Sequence, residues 1–352
     1  MAAQAPPPLS AVISGERAAP AAKAGAGECS SRPPCLIVNP RSFRASRGGL
    51  AEQAMALGRS HGAQVVAAGD PAELHEALEQ MLKNPGHPQD LAVLAGDGTV
   101  QAIVDHLAAR PAGVALPRLL VLGGGRTNLT AWELGGRGAV LQKLAAALER
   151  WREGRPFEAQ TRATLRVEQS PAPPRHGFFV AAGLIDYVIR ACHAHRAGTT
   201  SELRSGHVAT PLSLLHLALG AILGGEPIPR DELRVSARGY ATPSLPSRLL
   251  IATTLQNRHG LLDPYADRGE GEVRFTAVGA RGAGFWLRLP TLAMGRFTPR
   301  MSPERGFLSG RCSGLEVLGL SGYALDGEKF EADPARPVRI GPGPRLTFLC
   351  PP

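Results

Sequence analysis

Short apolar runs alternate with helical patterns through the first half of the chain. The runs occupy residues 35–38, 64–68, 91–95 and 119–122, and the helical patterns cover residues 48–61, 71–82, 99–109 and 139–151. Strand-length runs between helices of about 10 to 15 residues predict βαβ units around a mostly parallel sheet. Ligands of such sheets bind at the carboxyl ends of the strands.

The second half has a different pattern, which begins after Gly154-Arg-Pro156. Short runs, often alternating and separated by Pro and Gly, cover residues 164–168, 176–181, 232–236, 248–255, 271–278, 285–289, 315–320 and 345–349. Many short strands with turn signals between them predict an antiparallel β-sandwich domain.

These patterns divide the chain into three parts. Residues 1–33 are rich in Ala, Pro and Ser and have no apolar core, so we expect a disordered N-terminal segment. We expect an α/β domain over residues 34–153 and a β-rich domain over residues 154–352, with the active site in the cleft between them.

Charge and hydropathy exclude two classes of protein. The net charge is +9 and aromatic residues make up only 5% of the chain, without basic stretches that alternate with them, so nucleic acid is not an expected partner. The basic surface is either simply solvated or attracts anionic lipid headgroups or a polyphosphate. The apolar run 211–224 is shorter than the ~18 to 20 residues that cross a bilayer, so we expect no integral membrane protein.

The cysteines point to a reducing compartment. They are far apart and form neither a CxxC pair nor a Cys/His cluster, so they support neither a zinc site nor a disulfide framework. The five are Cys29, Cys35, Cys192, Cys312 and Cys350.

The loop Gly96-Asp-Gly-Thr99 directly follows the apolar run 91–95. Two glycines around an aspartate expose backbone N–H groups at the mouth of a sheet, beside the start of a helix. These donors suit a phosphate, and the Asp97 carboxylate suits a magnesium ion or a ribose hydroxyl. A bare Gly-Asp-Gly is also a common tight turn, so the other loops must distinguish a phosphate-binding site from a simple turn.

Two further loops follow strand-like runs. Asn39-Pro-Arg-Ser42 offers polar side chains at a strand end. Taken alone it is better explained by an ordinary capped turn, and Arg41 and Arg44 are the features that suggest a phosphate-facing loop. The loop Gly123-Gly-Gly-Arg-Thr-Asn128 combines three glycines with polar side chains at a helix start. It fits neither a Walker A loop nor GxGxxG, which removes the main support for a dehydrogenase.

In this order and spacing, the three loops resemble the diacylglycerol kinase catalytic domain family, which includes sphingosine kinases and bacterial lipid kinases. The family pattern is Asn-Pro-x-Ser, then Gly-Gly-Asp-Gly-Thr, then Gly-Thr-x-Asn-x-x-Ala-x-x-Leu-Gly. Three later segments also resemble the family and extend the resemblance over about residues 34–350: Ala182-Gly-Leu-Ile-Asp186, residues 266–273 and Leu325-Asp-Gly-Glu328.

The chain departs from the family pattern at several positions. Ala95 replaces the first glycine of the second loop, and Phe43 replaces a glycine after the first. Gly269 and Glu270 stand where the family has Asp-Asp, and Arg126 and Leu129 replace Thr and Asp in the third loop. These changes leave the fold prediction intact and concern nucleotide binding and activity.

The resemblance implies an ATP- and magnesium-dependent lipid kinase that transfers the γ-phosphoryl group to the hydroxyl of diacylglycerol or a related lipid alcohol. The first domain would bind the nucleotide, and the second would bind the lipid and complete the ATP cleft. Asp97 would act in catalysis and bind the metal ion. The implied ATP- and phosphate-binding residues are Asn39, Pro40, Arg41, Ser42, Gly96, Asp97, Gly98, Thr99, Gly124, Gly125, Arg126, Thr127, Asn128, Asp326, Gly327 and Glu328.

A carboxylate must take the proton of the acceptor hydroxyl. Family position favours Glu270 as this base, with Asp267 as its competitor because the register of the segment is ambiguous. Both residues are also explained as caps of a hairpin turn. Asp186 would bind the polar head of the acceptor, or would only fix a strand end.

Two other functions stay open. One is a catalytically degraded lipid- or nucleotide-binding protein on the same fold, and the other is a kinase of a soluble substrate such as NAD. For the leading function we expect a cytoplasmic, peripherally membrane-associated enzyme with its lipid substrate at the membrane surface. A homodimer is left open.

Overall fold

The computed structural model describes residues 23–24, 33–84, 87–125, 128–133, 138–183, 233–240, 244–256, 263–279 and 288–352. Arg126, Thr127, Asp186, the run 211–224 and nearly all of the expected N-terminal segment lie outside the described residues.

The first half alternates strands and helices, as the apolar pattern predicts. Its strands are β1 (Lys23–Ala24), β2 (Cys35–Val38), β3 (Gln64–Ala67), β4 (Asp90–Ala95) and β5 (Arg118–Gly123). Its helices are α1 (Leu50–Ser60), α2 (Pro71–Lys83), α3 (Asp97–Ala108), α4 (Leu129–Glu133) and α5 (Val140–Arg152).

Four strands of this half form a parallel sheet in the order β3-β2-β4-β5. Every residue of β2 and β4 is buried, because helices cover both faces of a parallel sheet. One apolar cluster packs α2 and α3 on one face, and another packs α1 and α5 on the other. The predicted mostly parallel α/β fold is confirmed.

The second half is β-rich. Its strands are β6 (Ala159–Glu168), β7 (Arg175–Gly177), β8 (Phe179–Gly183), β9 (Leu233–Ala237), β10 (Leu245–Ser247), β11 (Leu249–Thr253), β12 (Val273–Val278), β13 (Phe307–Cys312), β14 (Leu315–Leu318), β15 (Gly322–Leu325), β16 (Glu328–Glu331) and β17 (Val338–Leu349). A short helix α6 (Leu289–Ala293) and a 3₁₀ turn (Pro303–Arg305) complete the described elements.

The last strand joins the two halves. Within the first sheet, β17 lies beside β5 with Phe348 opposite Leu119, and it pairs antiparallel with β6 and β14. The sheet therefore runs β10-β9-β14-β17-β5-β4-β2-β3. A second, antiparallel sheet has the order β13-β12-β11-β8-β15-β16. One apolar cluster contains residues of both sheets, which is the interior of the predicted sandwich.

The sequence pattern misplaces some elements. Residues 285–289 are predicted as a strand, but in the described part α6 begins at Leu289, with a proline in its first turn, where a missing N–H costs nothing. Five strands are missed: β1, β10, β13, β15 and β16. Four of them have only two to four residues, and in β13 Gly310 and Arg311 interrupt the apolar pattern.

Among the described residues, no helix is long and apolar enough to span a bilayer.

A buried carboxylate fixes the amino ends of the central strands. Asp90 is fully buried at the start of β4, and it accepts from Arg118 Nε at 2.6 Å and Nη2 at 2.9 Å. The indole Nε1 of Trp151 on α5 donates to the same carboxylate at 2.6 Å. These bonds tie β4, β5 and α5 together at the end of the sheet opposite the candidate site.

Arg118→Met should destabilise the fold by about 3 to 5 kcal/mol, because it leaves the Asp90 carboxylate buried without its cation. The matched control is Arg155→Met, which removes an exposed ion pair with Glu153 and should cost less than about 1 kcal/mol. Urea unfolding of both variants measures the difference. An equal loss of unfolding free energy in the two variants would contradict the role of Asp90 in tying β4, β5 and α5 together.

Candidate active site

Three loops meet at the carboxyl edge of the parallel sheet. Val38 of β2 lies opposite Leu94 of β4, and Ala95 of β4 lies opposite Gly123 of β5, so the three strands end at the same level. Each strand continues directly into one of the loops that the sequence singles out. The sheet register therefore brings together residues that are about 30 to 60 positions apart in the chain.

Polar bonds join the first loop to the second. Ser42 Oγ accepts from the backbone N–H of Gly96 at 3.0 Å. Asn39 Nδ2 donates to Thr99 Oγ1 at 2.8 Å, while Asn39 Oδ1 accepts from Arg41 N at 2.9 Å. Two of these three bonds reach the second loop, which a purely local capped turn would not need.

The third loop is attached to both others. Asp97 Oδ2 accepts from the backbone N–H of Asn128 at 2.7 Å. Asn128 is buried and has a left-handed backbone with φ of 55°, and its amide bonds the N–H and C=O of Gly125 at 2.8 and 3.0 Å. Arg44 N donates to Gly124 O at 2.7 Å. Asn128 therefore holds both its own loop and Asp97.

The glycines of these loops are needed because the loops approach each other closely. A Cβ on Gly125 would lie 2.6 Å from Gly96 Cα, and a Cβ on Gly124 would lie 3.0 Å from Ala95 N. The sequence suggests that these glycines allow a ligand to approach the backbone. In the structure, they allow the neighbouring loop to approach it. Ala95 fits in place of the family's glycine, with its own side chain buried.

The Asp-Gly-Glu segment reaches this edge from the second sheet. Asp326 and Gly327, with φ of 50° and 92°, form the two-residue loop of the β15–β16 hairpin, where positive φ at both positions is favoured. A side chain on Gly98 would overlap the Glu328 carboxylate. The hairpin therefore packs against the first turn of α3, as the resemblance predicts for Glu328.

Asp326 is a buried acid in this hairpin. Its carboxylate accepts from the backbone N–H of Phe178 at 2.9 Å and from that of Phe179 at 2.8 Å. Burial raises the pKa of Asp326 to about 7; the two N–H groups oppose this rise, and the nearby Asp97 carboxylate adds to it. Asp97, at the start of α3, and Asp326, in the β15–β16 hairpin loop, are thus close enough for their carboxyl groups to influence each other.

The start of α3 offers free anion-binding capacity. Gly96 is its N-cap and, in the described part of the chain, no side chain caps the helix. The first-turn N–H groups of such a helix favour a phosphate. The Asp97 carboxylate and the Thr99 hydroxyl beside them are oxygen donors of the kind that magnesium takes. This donor set fits a magnesium nucleotide.

The two candidate bases lie farther along the edge of the second sheet. They belong to the turn before β12, and β15, β8, β11 and β12 are successive strands, which separates this turn from the Asp326 turn by about 14 Å. Asp267 is 81% exposed, with Arg311 Nε at 3.5 Å. Glu270 is exposed and makes no hydrogen bond or ion pair with any described residue. Neither carboxylate makes a hydrogen bond or ion pair with the described residues of the three loops.

A polar chain connects this turn to the third loop. Arg311 Nη1 donates to Gln256 Oε1 at 3.0 Å, and the backbone N–H of Gln256 donates to Glu133 Oε1 of α4 at 3.2 Å. Arg311 also contacts Asp267, so the chain runs from the candidate base to the helix that follows Asn128. No sequence signal points to Gln256, Glu133 or Arg311, because they lie on three separate elements: after β11, in α4 and in β13.

The arginines of the first loop do not converge on Asp97. The Arg41 side chain lies against Gly69 at the end of β3, so that a Cβ there would sit 3.1 Å from Arg41 Nε. Arg47 stacks on the Phe43 ring at 3.6 Å from its centroid. Pro40 lies in the turn between Asn39 and Arg41, as its fixed φ allows.

The family model described as diacylglycerol kinase catalytic domain matches residues 33–160, which carry all three loops. Over this part the chain is similar to the diacylglycerol kinase catalytic domain family. The resemblance that the loops predict is confirmed.

Solved structures share the fold of both halves of the chain. A structure described as a candidate diacylglycerol kinase from Bacillus anthracis str. Sterne matches with a TM-score of 0.61 and 12% identity, over 93% of this chain and 98% of the other. A structure described as a diacylglycerol kinase from the same organism matches with a TM-score of 0.56 and 13% identity, over 91% and 97%. No curated protein matches the chain.

Asp326→Ala should destabilise the protein by about 1 to 3 kcal/mol, because it leaves the buried N–H groups of Phe178 and Phe179 without an acceptor. Asp326→Asn is the matched variant, since asparagine tolerates a positive φ and keeps an acceptor oxygen. A raised folded-state pKa means that the contribution of Asp326 is fully present below the unfolded pKa and is lost as the pH rises through about 7.

Wild type should therefore lose stability relative to Asp326→Asn between about pH 4 and pH 7. Denaturant unfolding at several pH values measures this difference. A difference that is independent of pH would contradict the raised pKa of Asp326.

Proposed function

We propose that the protein is an ATP- and magnesium-dependent lipid kinase that phosphorylates the hydroxyl of diacylglycerol or a related lipid alcohol. The observation that carries the proposal is the position of Asp97. It lies at the start of α3, bonded to the third loop, and shares this edge with the first loop and the Asp326–Glu328 turn. Phosphoryl transfer depends on such positioning and on charge neutralisation more than on covalent catalysis.

The nucleotide phosphates would be held by the first-turn N–H groups of α3 and by the loop that contains Gly124 and Gly125. The magnesium ion would bind Asp97, with Asn39, Ser42, Thr99, Asn128 and Glu328 shaping the site around it. Magnesium-ATP supplies the transferable phosphoryl group and the charge that offsets its negative oxygens. Asn128 keeps the Asp97 carboxylate in place through the 2.7 Å bond.

A carboxylate in the turn before β12 would accept the proton of the lipid hydroxyl. Glu270 has no competing partner among the described residues, whereas the Asp267 carboxylate is paired with Arg311 Nε at 3.5 Å. This difference supports Glu270 as the base and Asp267 as a positioning residue. Asp186 stays a proposed contact of the acceptor head.

A non-catalytic lipid- or nucleotide-binding function is the second candidate. It is favoured by the distance of about 14 Å that separates the turn with Glu270 from the Asp326 turn. It is also favoured by the replacement of the family's Asp-Asp pair with Gly269 and Glu270. A soluble acceptor such as NAD has no specific observation in its favour.

Transfer of the γ-phosphate of labelled ATP to a panel of lipids in detergent micelles tests the kinase. Asp97→Asn should lose about 10²-fold or more of the rate. Glu270→Gln should lose about 10²- to 10⁴-fold with little change in nucleotide binding, because it removes a proton acceptor. Asp333→Asn, an exposed carboxylate paired with Arg336, is the control and should leave the rate unchanged.

Each result of this assay has one meaning. Labelled lipid that disappears in Asp97→Asn supports the kinase, and equal loss in Asp267→Asn and Glu270→Gln would remove the distinction between the two bases. Magnesium-dependent ATP binding without labelled lipid favours the binding protein. Transfer to NAD, with none to lipid, would establish the soluble acceptor.

We further propose that the protein reaches its substrate by binding a membrane surface peripherally through the segment 288–305. This segment carries four arginines and one glutamate, so its net charge is +3. Arg296 and Arg300 are exposed, and Met294 between α6 and these arginines is 40% exposed. Exposed cations beside an apolar side chain suit an anionic lipid surface.

The double variant Arg296→Glu/Arg300→Glu should weaken binding to vesicles that contain phosphatidylglycerol, and the wild-type binding should decrease as salt increases. Arg59→Glu/Arg152→Glu carries the same charge change on α1 and α5 and serves as the control. Vesicle co-sedimentation measures both. Equal loss in the two double variants would indicate a nonspecific charge effect and overturn the role of the segment.

A further inference from the structure

We propose that His75, Glu79 and His106 form a binding site for a transition-metal dication of the zinc type, on the helical layer away from the candidate active site. The three residues each offer one ligand atom, and these atoms lie within 4.8 Å of one another. The proposal stands independently of the kinase function, since none of the three residues belongs to the three loops.

The fold creates this cluster by packing two helices side by side. His75 and Glu79 lie one turn apart on α2, whose start is fixed by a capping box between Asp70 and Glu73. His106 lies in the last turn of α3, and α3 contacts α2. Residues four apart on a helix point to the same side, so both α2 ligands face α3.

The spacing of the cluster approaches that of a tetrahedral site. Zinc binds imidazole nitrogen and carboxylate oxygen at about 2.0 to 2.2 Å, which places neighbouring ligand atoms about 3.4 Å apart. Glu79 Oε1 and His106 Nε2 are already 3.4 Å apart. The His75 ring meets the His106 ring edge-on, with centroids 5.0 Å apart, and His75 is exposed and can rotate into place.

The chemistry of the donors favours zinc over magnesium. Two imidazoles and one carboxylate are a frequent zinc set, with a fourth position left for water. Magnesium prefers oxygen ligands and keeps most of its water. No cysteine of the described residues belongs to the cluster.

Arg110 occupies the cluster and competes with the metal. Its Nη2 contacts the Glu79 carboxylate and lies 2.6 Å from His106 Nε2. A guanidinium can only donate, so His106 Nε2 accepts and carries the lone pair that a metal needs. Metal binding must therefore move Arg110, which is 26% exposed and has a path to solvent. Arg110 thus sets the affinity of the site.

The site is separate from the nucleotide loops. His106 is nine residues after Asp97 on α3, which is about 13 Å along the helix axis. A metal there joins α2 to α3 and binds only the folded protein, so it should raise the melting temperature. This rise gives a readout that does not depend on kinase activity.

Cobalt binding to the full-length protein tests the proposal, with zinc displacement as the confirmation. Wild type should bind one cobalt ion with the absorption of a nitrogen- and oxygen-ligated tetrahedral site and without a thiolate charge-transfer band. His75→Ala and Glu79→Gln should each weaken binding at least about tenfold. Arg110→Gln should tighten it, because the competing guanidinium is gone. His61→Ala, at the end of α1, is the control and should bind as wild type does.

Three results would overturn the site. The first is that neither wild type nor Arg110→Gln shows saturable cobalt absorption. The second is that a His75→Ala/His106→Ala double variant binds cobalt as tightly as wild type, and the third is that the bound cobalt shows a thiolate charge-transfer band. His75 is exposed, so its variant should fold, and thermal unfolding without metal checks this. A melting temperature that zinc raises in wild type and not in His75→Ala supports the site.

Discussion

The bond between the Asp97 carboxylate and the backbone N–H of Asn128 is the contact on which the candidate active site depends. It joins the second loop to the third at a point where a Cβ on Gly125 would lie only 2.6 Å from Gly96 Cα. The left-handed backbone of Asn128 and its two bonds to Gly125 hold the donor in place. One carboxylate is thereby fixed in position beside the uncapped start of α3.

This arrangement explains why the second half of the chain is part of the site. The β15–β16 hairpin places Glu328 over Gly98 and brings Asp326 near Asp97, while β17 continues the parallel sheet beside β5. The arrangement lines this edge of the parallel sheet with residues from both halves of the chain. It also keeps two acidic groups close, an arrangement that a divalent cation stabilises.

Much of the fold follows from the sequence, and less of the site does. The period of the apolar residues predicts β2 to β5 and their helices almost to the residue, because buried parallel strands and amphipathic helices have distinct patterns. The loops were identifiable by their glycines and short polar residues. The role of the glycines is only partly predictable. Gly124 and Gly125 are required because the loops contact each other, and local sequence does not reveal that contact.

Other features depend on tertiary contacts. The hairpin loop Asp326-Gly327 has a clear two-residue turn signal, yet the burial of Asp326 against Phe178 comes from a strand almost 150 residues away. The polar connection through Gln256 and Arg311 also depends on residues that are far apart in the sequence. The His75–Glu79–His106 cluster crosses two helices, so only the spacing of His75 and Glu79 is visible in the sequence.

The central claim is that nucleotide phosphates bind where the three loops meet. A crystal structure of the protein with magnesium and a nonhydrolysable ATP analogue tests it most directly. The account predicts phosphate oxygens on the first-turn N–H groups of α3 and a magnesium ion on the Asp97 carboxylate. Phosphates bound elsewhere, with the Asp97–Asn128 bond unchanged and solvent at the start of α3, would contradict it.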